Sequence, residues 1–198
     1  MPTSLTEIAS FLSNQTISHD VRPEYSDIIT IFDTGNYRNE EGEKRLPIVI
    51  LLEEKGKFLK IFTPRCYRYA SSKYKEAFFK TLLAISFHTK MVQFECDQYE
   101  EGIYAMVEFP IEDSILSEKQ LIRALFSIVQ VLERYDSVIR AALDTGMISF
   151  GRSQEEEWLS NFITLMNKIE EVEEAEEVEE AEKASPLHQE DEDSSEWI

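Results

Sequence analysis

One long helix, predicted from Ser117 to Leu143, constrains the fold of this chain more than any other segment. Its apolar residues recur at spacings of four and three, the period of one helical stripe, and they are Leu121, Leu125, Ile128, Leu132, Tyr135, Ile139 and Leu143. Ser117 and Gln120 have the spacing of a capping box, and Gly146 offers a left-handed stop. A helix of this length spans roughly 40 Å. We therefore expect it to pack on a sheet or on another long helix.

Five further segments are rich in β-branched and aromatic residues and are predicted to be strands. They are Tyr25–Asp33, Leu46–Leu52, Phe58–Phe62, Met91–Cys96 and Ile103–Phe109. The second is too uniformly apolar for a strand with one wet face, so we expect it to be central. Pro64 is expected to end the third.

Two more helices are predicted, a short one from Leu5 to about Asn14 and another from Ser72 to His88. The apolar arc of the second is wide, which indicates contact with more than one neighbour. The element order is then α-β-β-β-α-β-β-α. Strands that arrive in hairpins favour an α+β domain with an antiparallel or mixed five-stranded sheet, packed by helices.

The chain has 198 residues, of which 42% are hydrophobic, enough for one domain and an appendage. We place the α+β domain at residues 1–147, an amphipathic helical extension at 148–169, and an acidic, disordered tail at 170–198. The tail holds 14 acidic residues and one lysine, so it carries −13 of the total charge of −19 and leaves −6 for residues 1–169. This charge argues against a general nucleic-acid binder.

The helical extension carries one strongly apolar face, which includes Trp158, Phe162, Leu165 and Met166. Either this face docks on the domain or it is presented to a partner protein. Membrane binding is not expected, because the polar face is rich in glutamate. The chain also lacks an apolar run of about eighteen residues and a signal-peptide pattern, so a cytoplasmic protein with reduced cysteines is expected.

Catalytic and metal-binding patterns are missing from the sequence. The carboxylate pairs, such as Glu53 with Glu54 and Glu100 with Glu101, fall in predicted turns, where a raised pKa is not expected. The three histidines are dispersed, and the two cysteines have no zinc spacing. We therefore predict no enzyme activity, no metal and no cofactor.

A basic stretch at residues 55–80 holds eight lysines and arginines against one acid, with aromatic residues between them. Lys57, Lys60, Arg65, Arg68 and Tyr67 are its candidate contacts. Such a pattern can bind single-stranded nucleic acid through phosphates and stacked bases. It equally fits an acidic protein segment, which could be the tail of this same chain.

Two segments carry recognisable motifs, MVQFECDQYEEGIYAMVEFPIED and SEKQLIRALFSIVQVLERYDSVIRAALDTG, in which the motifs are EFPIED, Ser117–Gln120 and Glu133–Asp136. With these motifs the chain resembles the bacterial YbjN family, in particular its form in photosynthetic bacteria. That family is similar in fold to the class I chaperones of type III secretion, with the same element order. The resemblance covers residues 3–146.

The resemblance implies a small, acidic, non-enzymatic protein that holds or regulates other proteins, and it leaves a homodimer open. Our functional expectation is therefore a chaperone-like or regulatory protein-binding module that grips a partner segment on its sheet or helix surface. The alternative is a regulator that binds nucleic acid through residues 55–80.

Overall fold

The computed structural model describes residues 3–148, which form three α-helices, one short 3-10 helix (Pro23–Tyr25) and six strands. The helices are α1 (Leu5–Asn14), α2 (Lys75–His88) and α3 (Glu118–Thr145). The strands are β1 (His19–Arg22), β2 (Asp27–Asp33), β3 (Arg45–Glu53), β4 (Phe58–Arg68), β5 (Gln93–Asp97) and β6 (Gly102–Pro110). Residues 149–169 of the predicted helical extension and the tail lie outside the described residues.

The long helix begins after the predicted cap Ser117 and runs to Thr145, two residues past the predicted Leu143, where the predicted stop Gly146 ends it. The Ser117 side chain accepts a hydrogen bond from the backbone N–H of Gln120, and the Gln120 side chain accepts one from the N–H of Ser117. Gly146 ends the helix in the left-handed conformation, with φ of 76°. The predicted stripe from Leu121 to Ile139 is buried, so the capping box and the apolar period together define α3.

The α+β class is confirmed, and the sheet is antiparallel throughout in the order β1-β2-β3-β4-β6-β5. The prediction of five strands is wrong, because β1 adds a sixth at the edge. Its sequence, HDVR, has no apolar alternation, so it forms through pairing with β2 rather than through its own pattern. An ion pair of 2.6 Å between Arg22 and Asp27 joins the two strands.

Strand β4 does not end at Pro64 as predicted but continues to Arg68. The pairing of β4 with β6 is interrupted between Thr63 and Tyr67, and Pro64 lies inside this irregularity. A proline cannot donate to the ladder, so it is tolerated where the ladder is already broken. The strand therefore passes the proline and carries Tyr67 into the core.

The sheet has two different faces. On one face Ile48, Ile50 and Ile61 are fully buried. The helices cover this face, as shown by the rings of Phe32 in β2 and Phe126 in α3, whose centroids lie 5.6 Å apart. Residues on the other face of the central strands β3 and β4 remain partly exposed. This second face is called the open face below.

Candidate partner-binding surfaces

Helix α2 carries apolar side chains both on the side packed in the domain and on the side facing solvent. Phe78, Leu82 and Ile85 are buried. Leu83 and Phe87, one turn apart, are 70% and 86% exposed. The wide apolar arc in the sequence predicted a second neighbour, and within the described residues no element covers this outer side. We call Leu83 and Phe87 the α2 stripe.

The inner side of α2 is fixed by an aromatic cluster, so the orientation of the stripe is well defined. The Phe78 ring lies 6.3 Å from the Tyr67 ring, and the Phe79 ring lies 5.1 Å edge-on from the Tyr69 ring. Aromatic pairs at these distances stabilise the packing beyond the area that they bury. Rotating Leu83 or Phe87 inward would break this cluster.

The basic stretch at residues 55–80 is matched by carboxylates, five of them from other segments of the chain and one, Glu76, from the same helix as Lys80. Six of its eight cations lie within 4 Å of a carboxylate oxygen: Lys57 at 3.8 Å from Asp113, Lys60 at 3.6 Å from Glu108, Arg65 at 3.7 Å from Glu100, Arg68 at 3.7 Å from Glu40, Lys75 at 3.7 Å from Glu101, and Lys80 at 2.6 Å from Glu76. Exposed pairs of this kind add little stability. Their effect is to neutralise the charge that a polyanion would need.

The predicted contact residues of this stretch occupy different structural positions along β4 and the turn before it. Lys60 is on the open face, Arg65 lies in the irregular part of β4, and Lys57 lies in the turn before β4. Tyr67 is only 2% exposed and belongs to the core. The apolar candidates Trp158, Phe162, Leu165 and Met166 lie outside the described residues.

The motif Glu133–Asp136 of the sequence resemblance has a structural role. The Glu133 carboxylate accepts hydrogen bonds from the backbone N–H groups of Gly35, Asn36 and Tyr37, at 2.9–3.0 Å for the shortest contact of each. Asp136 accepts one from the Tyr67 hydroxyl at 3.0 Å. The motif thus fixes the loop after β2 and the end of β4 to the middle of α3.

Burial keeps the reactive groups of the core protonated. Desolvation raises the pKa of the Cys66 thiol to about 12. The pKa values of Tyr37 and Tyr67 are also raised, chiefly by burial. A thiol with such a pKa is a poor nucleophile near neutral pH. Cys96 is exposed, and its sulfur lies 3.0 Å from the Tyr69 hydroxyl.

The carboxylate pairs singled out from the sequence lie at the ends of strands. Glu53 is the last residue of β3, Glu54 lies in the turn that follows it, and Glu100 precedes β6. Glu112 and Asp113 follow β6 and are exposed. Among residues 3–148, no group of three or more His, Cys, Asp or Glu side chains is placed to hold a metal ion. In the same residues, no helix is both long enough and apolar enough to cross a membrane.

No protein-family model matches the chain, and no curated protein matches its sequence. Among solved structures, the crystal structure of YbjN, a proposed transcription regulator from E. coli, is similar to it. The two share 11% sequence identity at a TM-score of 0.47, over 68% of this chain and 92% of that one. A likeness this distant carries no functional information.

Proposed function

We propose that this chain is a non-enzymatic protein-binding module that holds an apolar segment of a partner protein against helix α2, in a chaperone-like or regulatory role. The exposed α2 stripe is the observation that carries this proposal. Leu83 and Phe87 project from one side of a helix whose other side is anchored in the core. Apolar side chains at i and i+4 are the anchors through which helical surfaces bind amphipathic partner segments.

The stripe is a better candidate than the basic stretch. A nucleic-acid surface needs cations that are free to meet phosphates, and six of the eight in residues 55–80 are next to carboxylates. The face of Trp158, Phe162, Leu165 and Met166 stays a second predicted apolar contact for a partner, with its own variants.

The test compares the proteins that co-purify with three tagged, full-length forms of the chain: wild type, a double variant and a control variant. The double variant Leu83→Glu with Phe87→Glu places charge on the stripe without touching the core. Ile115→Glu is the matched control, because Ile115 is 74% exposed and lies in the linker before α3. We expect a partner that is retained by wild type and the control and depleted at least about tenfold by the double variant, since buried interface charge costs several kcal/mol.

Two results would overturn the proposal. One is a set of bound proteins that is the same for wild type and the double variant. The other is an equal loss with Ile115→Glu, which would indicate a general effect of surface charge. A parallel variant, Trp158→Ala with Phe162→Ala, tests the C-terminal face separately.

A further inference from the structure

The open face of the sheet contains a depression of about 610 Å³ near the end where β5 joins β6. Its base is apolar and aromatic, formed by Leu51, Phe62, Tyr104 and Met106 from three adjacent strands. The Phe62 and Tyr104 rings lie 6.1 Å apart and tilted by 34°. Such a surface can hold the aliphatic part of a long side chain.

The rim of this depression is acidic. Among the described residues, its lining includes the carboxylates of Glu53, Glu95 and Asp97 and one cation, Lys60. Lys60 is already matched, with its Nζ 3.6 Å from Glu108. Glu53 and Glu95 are exposed and form no ion pair within the described residues. The depression therefore combines an aromatic base with two carboxylates, Glu53 and Glu95, that have no cationic partner in the part of the chain that the structure describes.

Lys60 itself illustrates the kind of group that this surface accommodates. Its ammonium nitrogen lies 6.0 Å from the centre of the Phe62 ring as well as beside the Glu108 carboxylate. A cation near an aromatic face and a carboxylate is stabilised by both. A second cation, supplied by a binding partner, would meet the rings of Phe62 and Tyr104 and the carboxylates of Glu53 and Glu95.

We propose that the depression docks a basic segment of a partner protein. A lysine or arginine side chain of that segment lays its aliphatic stem on Phe62 and Tyr104 and brings its charge to Glu95. Further basic residues on the same segment meet Glu53 and Asp97. This surface is separate from the α2 stripe, so the proposal goes beyond the function proposed above and does not depend on it.

Electrostatic repulsion disfavours the other possible occupants of the depression. A second copy of the chain that packed face to face would bring the same carboxylates against Glu53 and Glu95, and like charges in contact are strongly unfavourable. Residues 170–198 carry a net charge of −13 and are mismatched for the same reason. Nucleic acid is repelled by the acidic rim. A basic protein segment is the occupant that complements both the charge and the aromatic base.

The probe is a fluorescein-labelled peptide of about ten residues, long enough to cross two or three strands, in which lysines alternate with valines. The control peptide has glutamate in place of every lysine. Binding to full-length protein is followed by fluorescence anisotropy at low and moderate salt. We expect the lysine peptide to bind, the glutamate peptide not to bind, and added salt to weaken binding.

Two charge-reversal variants of the full chain separate this site from general electrostatics. Glu95→Lys lies in the depression. Glu24→Lys makes the same charge change next to β1, which lies at the opposite edge of the sheet from β5. We expect Glu95→Lys to weaken the lysine peptide about tenfold, equivalent to about 1.4 kcal/mol. Glu24→Lys should change the affinity less than about twofold. Glu95→Gln, a milder change, should fall between them.

Equal losses with Glu95→Lys and Glu24→Lys would overturn the proposal, as would equal binding of the two peptides or no binding of either. Displacement of the peptide by spermidine, at an equal concentration of positive charge, would also overturn the proposal. The site would then bind a small amine rather than a protein segment. The double variant Leu83→Glu with Phe87→Glu should bind the peptide like wild type. The two proposals are therefore tested independently. Peptide binding can fail while partner capture through α2 succeeds, and partner capture can fail while peptide binding succeeds.

Discussion

The hydroxyl of Tyr67 donates a hydrogen bond of 3.0 Å to Oδ1 of Asp136 and so joins strand β4 to the middle of helix α3. Both residues are buried, at 2% and 5% exposure. Asp136 also accepts hydrogen bonds from Nε of Arg140, one turn further along α3, at 2.8 and 3.0 Å. A buried carboxylate is tolerated only with partners of this kind. This pair holds together the two elements that organise the domain.

Removal of Asp136 should destabilise the domain far more than removal of its partner hydroxyl. Asp136→Ala leaves Tyr67 and Arg140 with unmet hydrogen bonds near the core, and we expect a loss of about 3 kcal/mol in the free energy of unfolding. Tyr67→Phe removes one hydrogen bond and should cost about 1 kcal/mol. Urea denaturation of the three proteins measures both.

Asp144→Ala is the matched control, because Asp144 is exposed on the same helix. It should change stability by no more than about 0.5 kcal/mol. Equal effects of Asp136→Ala and Asp144→Ala would show that the Tyr67–Asp136 pair contributes no stability.

Glu133 should control the order of the loop between β2 and β3. Its carboxylate accepts three backbone N–H groups, from Gly35, Asn36 and Tyr37. Glu133→Ala removes all three charge-assisted bonds, and we expect a loss of about 2 kcal/mol. Hydrogen exchange should accelerate in residues 34–44 and remain unchanged in β5. Unchanged exchange in the loop would contradict the anchoring role.

Stability should fall in alkali because of the buried thiol. The pKa of Cys66 is about 12 in the folded chain, against an ordinary value of 9.0. Below pH 9 both states keep the proton and the contribution is fully present. Between pH 9 and 12 only the unfolded chain loses the proton, so the free energy of unfolding decreases, by at most about 1.4 kcal/mol per pH unit for one group.

Urea titrations at pH 8, 9 and 10 test this expectation, since tyrosines contribute mainly at higher pH. Cys66→Ala should flatten the decrease between pH 9 and 10. Cys96→Ala, which removes the exposed thiol, should keep it. A wild-type profile that is flat to pH 10 would contradict the burial of Cys66.

A secondary-structure element is predicted most accurately from the sequence when the residues that determine it lie within the element itself. The capping box at Ser117, the stop at Gly146 and the apolar period between them lie within α3, and the structure confirms all three. Strand β1 has no such signal. It exists because His19–Arg22 lies beside β2, and pairing of that kind depends on the folded sheet rather than on local sequence.

The candidate surfaces also could not be predicted from local sequence, because they depend on the folded structure. The wide apolar arc of α2 indicated contact with more than one neighbour, but only the fold shows which side of the helix Leu83 occupies. The basic stretch looked continuous because residues 55–80 are adjacent in sequence. Its neutralisation by Glu40, Glu100 and Glu108 depends on contacts between distant segments. The acidic depression likewise assembles Glu53 and Glu95 from strands β3 and β5, and no sequence spacing marks it.

Gly146 and Gly42 provide a comparison between backbone strain and steric conflict. Both have positive φ, at 76° and 81°, so alanine at either position should cost about 1 kcal/mol for the left-handed backbone alone. A Cβ at Gly42 would meet no atom within 4 Å. At Gly146 it would lie 2.7 Å from Cδ1 of Tyr74. We therefore expect Gly146→Ala to cost about 1 kcal/mol more than Gly42→Ala in urea denaturation. Tyr74→Ala should remove this difference by clearing the space, and equal costs for the two glycine variants in the wild-type background would contradict the contact between Tyr74 and the end of α3.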